Sequence, residues 1–310
     1  MYPKGGEALS RRKWQGLFLA AALAVLLARS AVAAEAVRRG LLLCARSVIP
    51  ALFPYFVVSG LFISLGFAES IGRRLAPLTR RLFGVGGAGA AAFFLGLLGG
   101  YPVGGRTVGQ LYRAGELEKD EAEHLLAFCN NAGPSFILGV AGLGCFGSLR
   151  TGVILYCLHA LSAVLTGVFL RNKNASRPAP YRRTLPPQKM LSAFLTSVQE
   201  AAEAMLRLCG FVVFALVVQA VLADGTGLRH PAFLGFIELT GGVAGLGNSR
   251  QDFVWAAALL GWGGLSVHGQ TAAVLGGTDL RLRQYFAGKL LQAVFSAIGA
   301  LFVANCLDLI

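Results

Sequence analysis

The stretch AAAFFLGLLGGYPVGGR, residues 90–106, is an apolar run that ends in a cluster of glycines around a Tyr-Pro pair. A helix needs about 20 apolar residues to cross a bilayer, and this run is interrupted after about nine. Arginines flank it on both sides, at Arg81 and Arg113. Irregular backbone at membrane depth survives only where protein buries it or where it lines a cavity. We therefore expect a re-entrant hairpin that enters and leaves the membrane from the same face.

The composition of the whole chain supports a membrane location. Of its 310 residues, 55% are hydrophobic and only 14% are charged, with a mean hydropathy of +0.63. Soluble domains carry about 25% charged residues. This chain therefore has too little polar surface to cover a water-soluble globule, and the fold class expected is an all-α membrane protein.

The net charge of +13 comes from short basic clusters that lie between apolar runs, at residues 4–13, 73–81 and 171–189. Such clusters are typical of the cytoplasmic loops of membrane proteins. They predict a cytoplasmic N-terminus and no nucleic-acid partner.

Enzyme and metal motifs are missing. The six cysteines lie in apolar stretches without a Cys-x-x-Cys pair, so neither a disulfide framework nor a zinc site is indicated. Residues 84–89 fit G-x-G-x-x-G by letter, but no strand precedes them. No Walker lysine, H-E-x-x-H or G-x-S-x-G occurs. We predict no enzymatic activity, no metal and no cofactor.

The chain divides into an N-terminal segment and two halves. Residues 1–34 carry a basic start and an apolar run whose length favours a retained transmembrane helix, although small residues at 30–34 also fit a signal-peptide cleavage site. Residues 35–171 and 190–310 form the two halves, and residues 172–189 form a basic, proline-rich linker expected in the cytoplasm.

Each half repeats one order of segments: interfacial helix, span, re-entrant hairpin, broken crossing helix and span. In order, the segments are 35–47, 48–66, 86–109, 125–146 and 151–170, then 191–207, 208–223, 233–247, 253–276 and 285–305. Loop charges orient the span at 48–66 inward and the span at 208–223 outward. The predicted fold is therefore an inverted repeat, which in secondary transporters places the binding site near the midplane, at matched Gly/Pro-interrupted segments.

The candidate solute-binding residues lie in the four interrupted segments. They are Gly100, Tyr101 and Pro102; Asn130, Asn131 and Ser135; Glu238 and Thr240; and Ser266, His268 and Gln270. An ionisable or amide side chain inside an apolar segment is costly unless it has a partner or a function. We expect Glu238 and His268 to share a polar cavity with the two asparagines and Gln270, with the hairpin tips at Tyr101 and Gly241 close together.

Structural alternatives stand beside each of these roles. The glycines around Tyr101 have the spacing of a tight helix contact. Asn130 and Asn131 could satisfy carbonyls that Pro134 leaves free. Glu238 could pair with a basic side chain such as Arg106, and His268 could be structural.

At these motifs the chain resembles the YlbJ family of sporulation integral membrane proteins, which carry a nucleoside-recognition, or Gate, domain. The matching segments are GGYPVG at 99–104, FCNNAGPSFI at 128–137 and GLSVHGQ at 264–270, and the resemblance covers about residues 35–310. It implies a multi-pass protein of the bacterial inner membrane that acts in spore cortex formation. Gate domains also occur in concentrative nucleoside transporters and bacterial ferrous-iron transporters, so the resemblance does not supply a substrate.

Two functions remain open at this point. One is a secondary transporter or exporter of a small polar solute. The other is a membrane scaffold that transports nothing and assembles with partner proteins during sporulation. The buried polar residues favour the transporter, because a scaffold gains nothing from ionisable groups inside the membrane. The solute, the coupling ion, the direction of transport and homo-oligomerisation stay undetermined.

Overall fold

The computed structural model describes residues 5–171 and 189–306, and the described chain is helical without strands. The predicted linker at 172–189 lies almost entirely outside the described residues. The helices are α1 (Gly5–Ala28), α2 (Ser30–Leu43), α3 (Ile49–Ser64), α4 (Phe67–Phe83), α5 (Gly87–Gly99), α6 (Val103–Arg113), α7 (Lys119–Cys129), α8 (Leu149–Phe169), α9 (Met190–Thr226), α10 (Pro231–Ile237), α11 (Leu239–Ala244), α12 (Arg250–Trp262), α13 (Leu265–Val274) and α14 (Arg283–Cys306), with π-helical segments at Cys44–Val48 and Ser135–Cys145.

Within the described residues, three helices are long and apolar enough to cross a membrane on their own: α8, α9 and α14. The count rises to five if two sharply bent pairs, α1 with α2 and α4 with α5, each make one span. Several other apolar helices are too short to cross alone. The structure therefore confirms an all-helical chain with several apolar candidate spans.

The first helix of each half is longer than expected. Residues 30–64 form one unbroken helix, because the π-helical turn Cys44–Val48 joins α2 to α3, and α9 runs for 37 residues. The predicted separation into an interfacial helix and a span is wrong in both halves. A proline removes a backbone donor without necessarily ending a helix, and Pro54 lies inside α3.

These two long helices pack side by side in opposite directions. Arg29 pairs with Asp224 at one end. A β-carbon on Gly40 would lie 3.1 Å from Val213 in the middle, and one on Gly60 would lie 3.1 Å from Ser197 near the other end. Small residues let helices approach closely in a membrane, where apolar burial does not drive association. The glycines thus set how closely the two helices approach.

The basic segment predicted as a loop at 67–84 is a helix, α4. Gly72, Thr79 and Phe83 of α4 are buried, whereas its arginines are exposed, so the helix is amphipathic. It meets α5 at an angle of 92°. A sharp bend of this kind occurs both in broken spans and in re-entrant segments.

The loop before α14 is hydrogen-bonded to α6 and to the start of α7. Asp279 accepts hydrogen bonds from the Tyr112 hydroxyl (2.7 Å) and the Lys119 ammonium (2.6 Å). The hydrogen bond from Lys119, and to a smaller extent the one from Tyr112, lowers the pKa of the Asp279 carboxyl to about 2. The carboxylate therefore stays charged and paired from mildly acidic to neutral pH.

Candidate functional site

Four helix interruptions lie together inside the bundle. The first is at Gly100 between α5 and α6, and the second is at residues 130–134 between α7 and the segment Ser135–Cys145. The third is at Glu238 between α10 and α11, and the fourth is at Gly263 and Gly264 between α12 and α13. Gly100, Gly263 and Gly264 have φ values of 78°, 93° and 84°, which favour glycine.

The interruptions contact one another through backbone. A β-carbon on Gly100 would lie 2.9 Å from the backbone nitrogen of Gly133, and one on Gly264 would lie 3.0 Å from that of Leu239. The Tyr101 hydroxyl donates to the carbonyl of Leu260 (3.1 Å), which links the first hairpin to α12. The first group of glycines therefore makes close backbone contacts, which hold the interruptions near one another.

A small cavity of about 40 Å³ lies between the interruptions. Six of the predicted residues line it, together with Gly133 from the second interruption: Gly100, Tyr101, Glu238, Thr240, Ser266 and Gln270. The Ser266 hydroxyl and the Gln270 carbonyl oxygen have no hydrogen-bond partner, although both side chains are about 95% buried. Buried polar groups are nearly always paired, so these two atoms mark a place where a ligand or water is expected.

Glu238 is 1% exposed and caps the short helix α11. Its carboxylate accepts hydrogen bonds from the backbone N–H groups of Thr240 (2.9 Å) and Gly241 (2.6 Å). Arg106, the basic partner considered from the sequence, instead pairs with Glu200 at 2.7 Å. The carboxylate is thus held by backbone donors at the cavity wall.

The two asparagines face away from this cavity. Asn130 accepts from the Gly105 N–H (3.2 Å) and donates to Thr271 (2.8 Å), which ties α6 and α7 to α13. Asn131 donates to the Phe128 carbonyl (2.8 Å) and accepts from Gln292 (2.9 Å). The structure therefore uses both amides as internal ties, which is close to the structural alternative drawn from the sequence.

His268 also lies outside the cavity lining. Its Nδ1 atom is 2.7 Å from the Tyr285 hydroxyl, and its ring packs edge-on against Trp262. The expected cavity shared by Glu238, His268 and the asparagines is thus not formed in this conformation. Of the other predicted residues, Ser135 begins the π-helical segment and Pro102 lines a neighbouring vestibule.

Sequence reasoning missed the polar residues of the last span and of α8. Lys289 and Gln292 of α14 and His159 of α8 are buried to 1% exposure or less. His159 accepts a hydrogen bond from the Ala132 N–H (3.0 Å), in the interruption after α7. A lysine and a glutamine three residues apart in an apolar span were the available signal, because such residues share one helix face.

Two larger vestibules flank the central cavity. The α6 vestibule, about 430 Å³, is lined by residues of α6, α9 and α13 and reaches Pro102, Leu208 and Gln270. The α2 vestibule, about 630 Å³, is lined by residues of α2, α9 and α10 and reaches Gly241. Leu208 and Gln270 also line the central cavity, and Gly241 binds the carboxylate of Glu238. The cavity is therefore separated from each vestibule by a single layer of residues.

These features define a polytopic α-helical membrane protein whose interrupted helices surround a small cavity that is lined by both apolar and polar residues. The family model for the Gate domain, described as nucleoside recognition, matches residues 45–170. The chain is also 27% identical over 308 residues to the sporulation integral membrane protein YlbJ of Bacillus subtilis, covering 85% of this chain and 76% of that protein. No solved structure matches. Residues 45–170 thus match the Gate family model, and the chain as a whole is similar to YlbJ, which confirms the resemblance read from its motifs.

Proposed function

We propose that this protein is a secondary transporter or exporter of a small polar solute, which binds in the central cavity. The observation that carries the proposal is a pair of buried atoms without a hydrogen-bond partner, Ser266 Oγ and Gln270 Oε1, on residues that line the same cavity as Glu238. Leaving a buried polar group unpaired costs about 1–3 kcal/mol. A solute that donates hydrogen bonds would recover that free energy when it binds.

The arrangement of the helices supports an inverted repeat around this cavity. The order long helix, hairpin, broken helix and span occurs twice, as α2–α3, α5–α6, α7 with Ser135–Cys145, and α8, and then as α9, α10–α11, α12–α13 and α14. The first helices of the two series are antiparallel. Such repeats allow alternating access, in which a central site opens to one face and then to the other. The two vestibules supply the two routes.

The cavity as it stands has room for little more than water. A solute can therefore enter the cavity only if the residues between the cavity and one vestibule move apart. These residues are Pro102 and Gln270 on the side of the α6 vestibule and Gly241 on the side of the α2 vestibule. The name of the Bacillus relative, a sporulation integral membrane protein, supports a role in sporulation, and we place the protein in the bacterial inner membrane as part of the same proposal. No enzymatic step is needed for this role.

The first prediction tests solute binding. Purified protein should be screened by thermal unfolding against a panel of nucleosides, amino acids, sugars and polyols at millimolar concentration. Ligands of the cavity should raise the unfolding temperature, because binding to the folded state alone stabilises it. Ser266→Ala should reduce this rise, because it removes one of the free partners.

Ser197→Ala is the matched control, since Ser197 is equally buried and its hydroxyl is also unpaired, but it lies outside the central cavity. It should leave the ligand effect unchanged. If both variants lost the ligand-induced rise in unfolding temperature equally, or if no polar solute raised that temperature in the wild type, the scaffold function would be favoured instead.

The second prediction concerns orientation. In a variant whose six native cysteines are replaced, Thr226→Cys should react with a membrane-impermeant maleimide added to intact cells, and Ala114→Cys should react only after lysis. The basic loops place residue 114 in the cytoplasm and residue 226 outside. Both positions are exposed. Labelling in the opposite pattern would contradict the proposed orientation, including the cytoplasmic N-terminus.

A further inference from the structure

Lys289 is completely buried in α14 and has no carboxylate partner among the described ion pairs. Its ammonium donates to the backbone carbonyl of Asn130 (3.0 Å) and to Oε1 of Gln292 (2.7 Å). It also lies 5.1 Å from the centre of the Tyr101 ring. A buried charge is normally paired with an opposite charge, so this environment of neutral oxygens and an aromatic face is unusual.

The carbonyl of Asn130 has no partner within a helix. The helix α7 ends at Cys129, Asn130 has extended backbone angles (φ −94°, ψ 98°), and the residues up to Gly133 are not helical, so no N–H four residues later bonds this carbonyl. The carbonyl also lies at the C-terminal end of α7, where the helix dipole is negative. The end of α7 therefore presents an acceptor and a partial negative charge to whatever lies beside it.

The described titratable groups near Lys289 are Cys129 on α7, Tyr101 after α5, His159 on α8, His268 on α13 and Tyr285 on α14. None of these side chains is a carboxylate that could form an ion pair with the ammonium. Glu238 is held by backbone donors of its own helix. Within the described residues, the contacts of the Lys289 ammonium are thus with two neutral oxygens and a π face.

Carbonyl oxygens at the end of an interrupted helix are the groups that coordinate a monovalent cation in transporters, and an aromatic face also attracts a cation. We infer that the structure contains a monovalent-cation site at the end of α7 that the chain fills with its own Lys289 ammonium. The site holds the Tyr101 hairpin, α7 and α14 together. If the proposed transport function is correct, it follows that this transporter needs no sodium ion at this position.

Chemical rescue tests this inference without any transport assay. Lys289→Ala removes three carbons and the ammonium, which together have the shape of n-propylammonium. The variant should unfold at a lower temperature, and n-propylammonium chloride should raise that temperature by about 3 °C or more. Neither wild-type protein nor Lys289→Met, in which a thioether fills the space, should respond. Rescue by 1-propanol at the same concentration would overturn the inference, because the space and not the charge would then matter.

Wild-type protein provides a second test that does not depend on the folding of a variant. Its unfolding temperature should be the same in sodium, potassium and choline chloride at equal ionic strength. A rise in sodium alone would mean that the site takes an external ion, and the inference would fail. Failure to find a solute in the binding screen would leave this outcome unaffected, so the two proposals are tested separately.

Discussion

Gly96→Ala is expected to prevent stable folding of this protein. Gly96 lies on α5 where the helix meets the end of α7, and a β-carbon there would overlap the Cys129 carbonyl oxygen. That oxygen belongs to backbone and cannot turn aside as a side chain would. Forcing extra atoms into a packed interior costs about 1–3 kcal/mol, and a backbone clash of this size should lie at or above the upper end. Size-exclusion chromatography of the solubilised protein and its unfolding temperature measure the effect.

Gly210→Ala is the matched control, because Gly210 lies inside α9 and a β-carbon there would meet no atom within 4 Å. Alanine has a higher helix propensity than glycine, so this variant should be as stable as the wild type or slightly more so. If Gly96→Ala behaved like the control, the close packing of α5 against α7, and with it the position of the first hairpin, would be incorrect.

Glu238→Gln is expected to remove solute binding while the protein stays folded. The glutamine has the same shape and can still accept one backbone hydrogen bond at the start of α11, so the unfolding temperature should fall only slightly. The charge at the cavity wall is lost, and hydrogen bonds to a charged group contribute about 1.5–3 kcal/mol, compared with about 1 kcal/mol for neutral pairs. Any solute found in the thermal-shift screen should therefore bind at least tenfold more weakly. Titration of the unfolding temperature with that solute measures the change.

Glu238→Ala separates this effect from a structural one. It leaves the N–H groups of Thr240 and Gly241 without their acceptor, at a cost of about 1–3 kcal/mol. This variant should be clearly less stable than Glu238→Gln. If both variants lost stability equally and the glutamine variant bound solute normally, Glu238 would be only a helix cap, and the proposed role of its charge in the site would be wrong.

The positions of the helix interruptions followed from local chemistry. Glycine pairs and the Gly133-Pro134 step weaken a helix, so the segments around Gly100, Asn130 and Gly264 were found without any structure, although other pairs such as Gly104-Gly105 lie inside a helix. The same kind of local reasoning predicted the two long helices incorrectly. Charged residues at 35–46 and 200–207 indicated separate interfacial helices, but charge does not end a helix, and both helices continue unbroken.

Which residues face the cavity depended on contacts between distant parts of the chain. Glu238 and Ser266 line it as expected, whereas Asn130 and His268 bond to partners that no local pattern reveals. The rotation of a helix about its axis decides whether a side chain meets a cavity or a neighbouring helix. A uniformly apolar helix carries no periodic signal that would set that rotation.

By itself, the sequence determined that this chain is a helical membrane protein with interruptions at its glycine- and proline-rich motifs, because hydropathy and backbone chemistry act locally. Only the tertiary structure decided that Lys289, in an apparently ordinary last span, meets the Asn130 carbonyl 159 residues away. The end of α7 at Cys129 leaves that carbonyl without a partner in the helix, but the carbonyl can accept a hydrogen bond from the ammonium only after α7 and α14 have packed together. The physical reason is that a buried polar group takes whichever partner the packing of helices brings within hydrogen-bond distance.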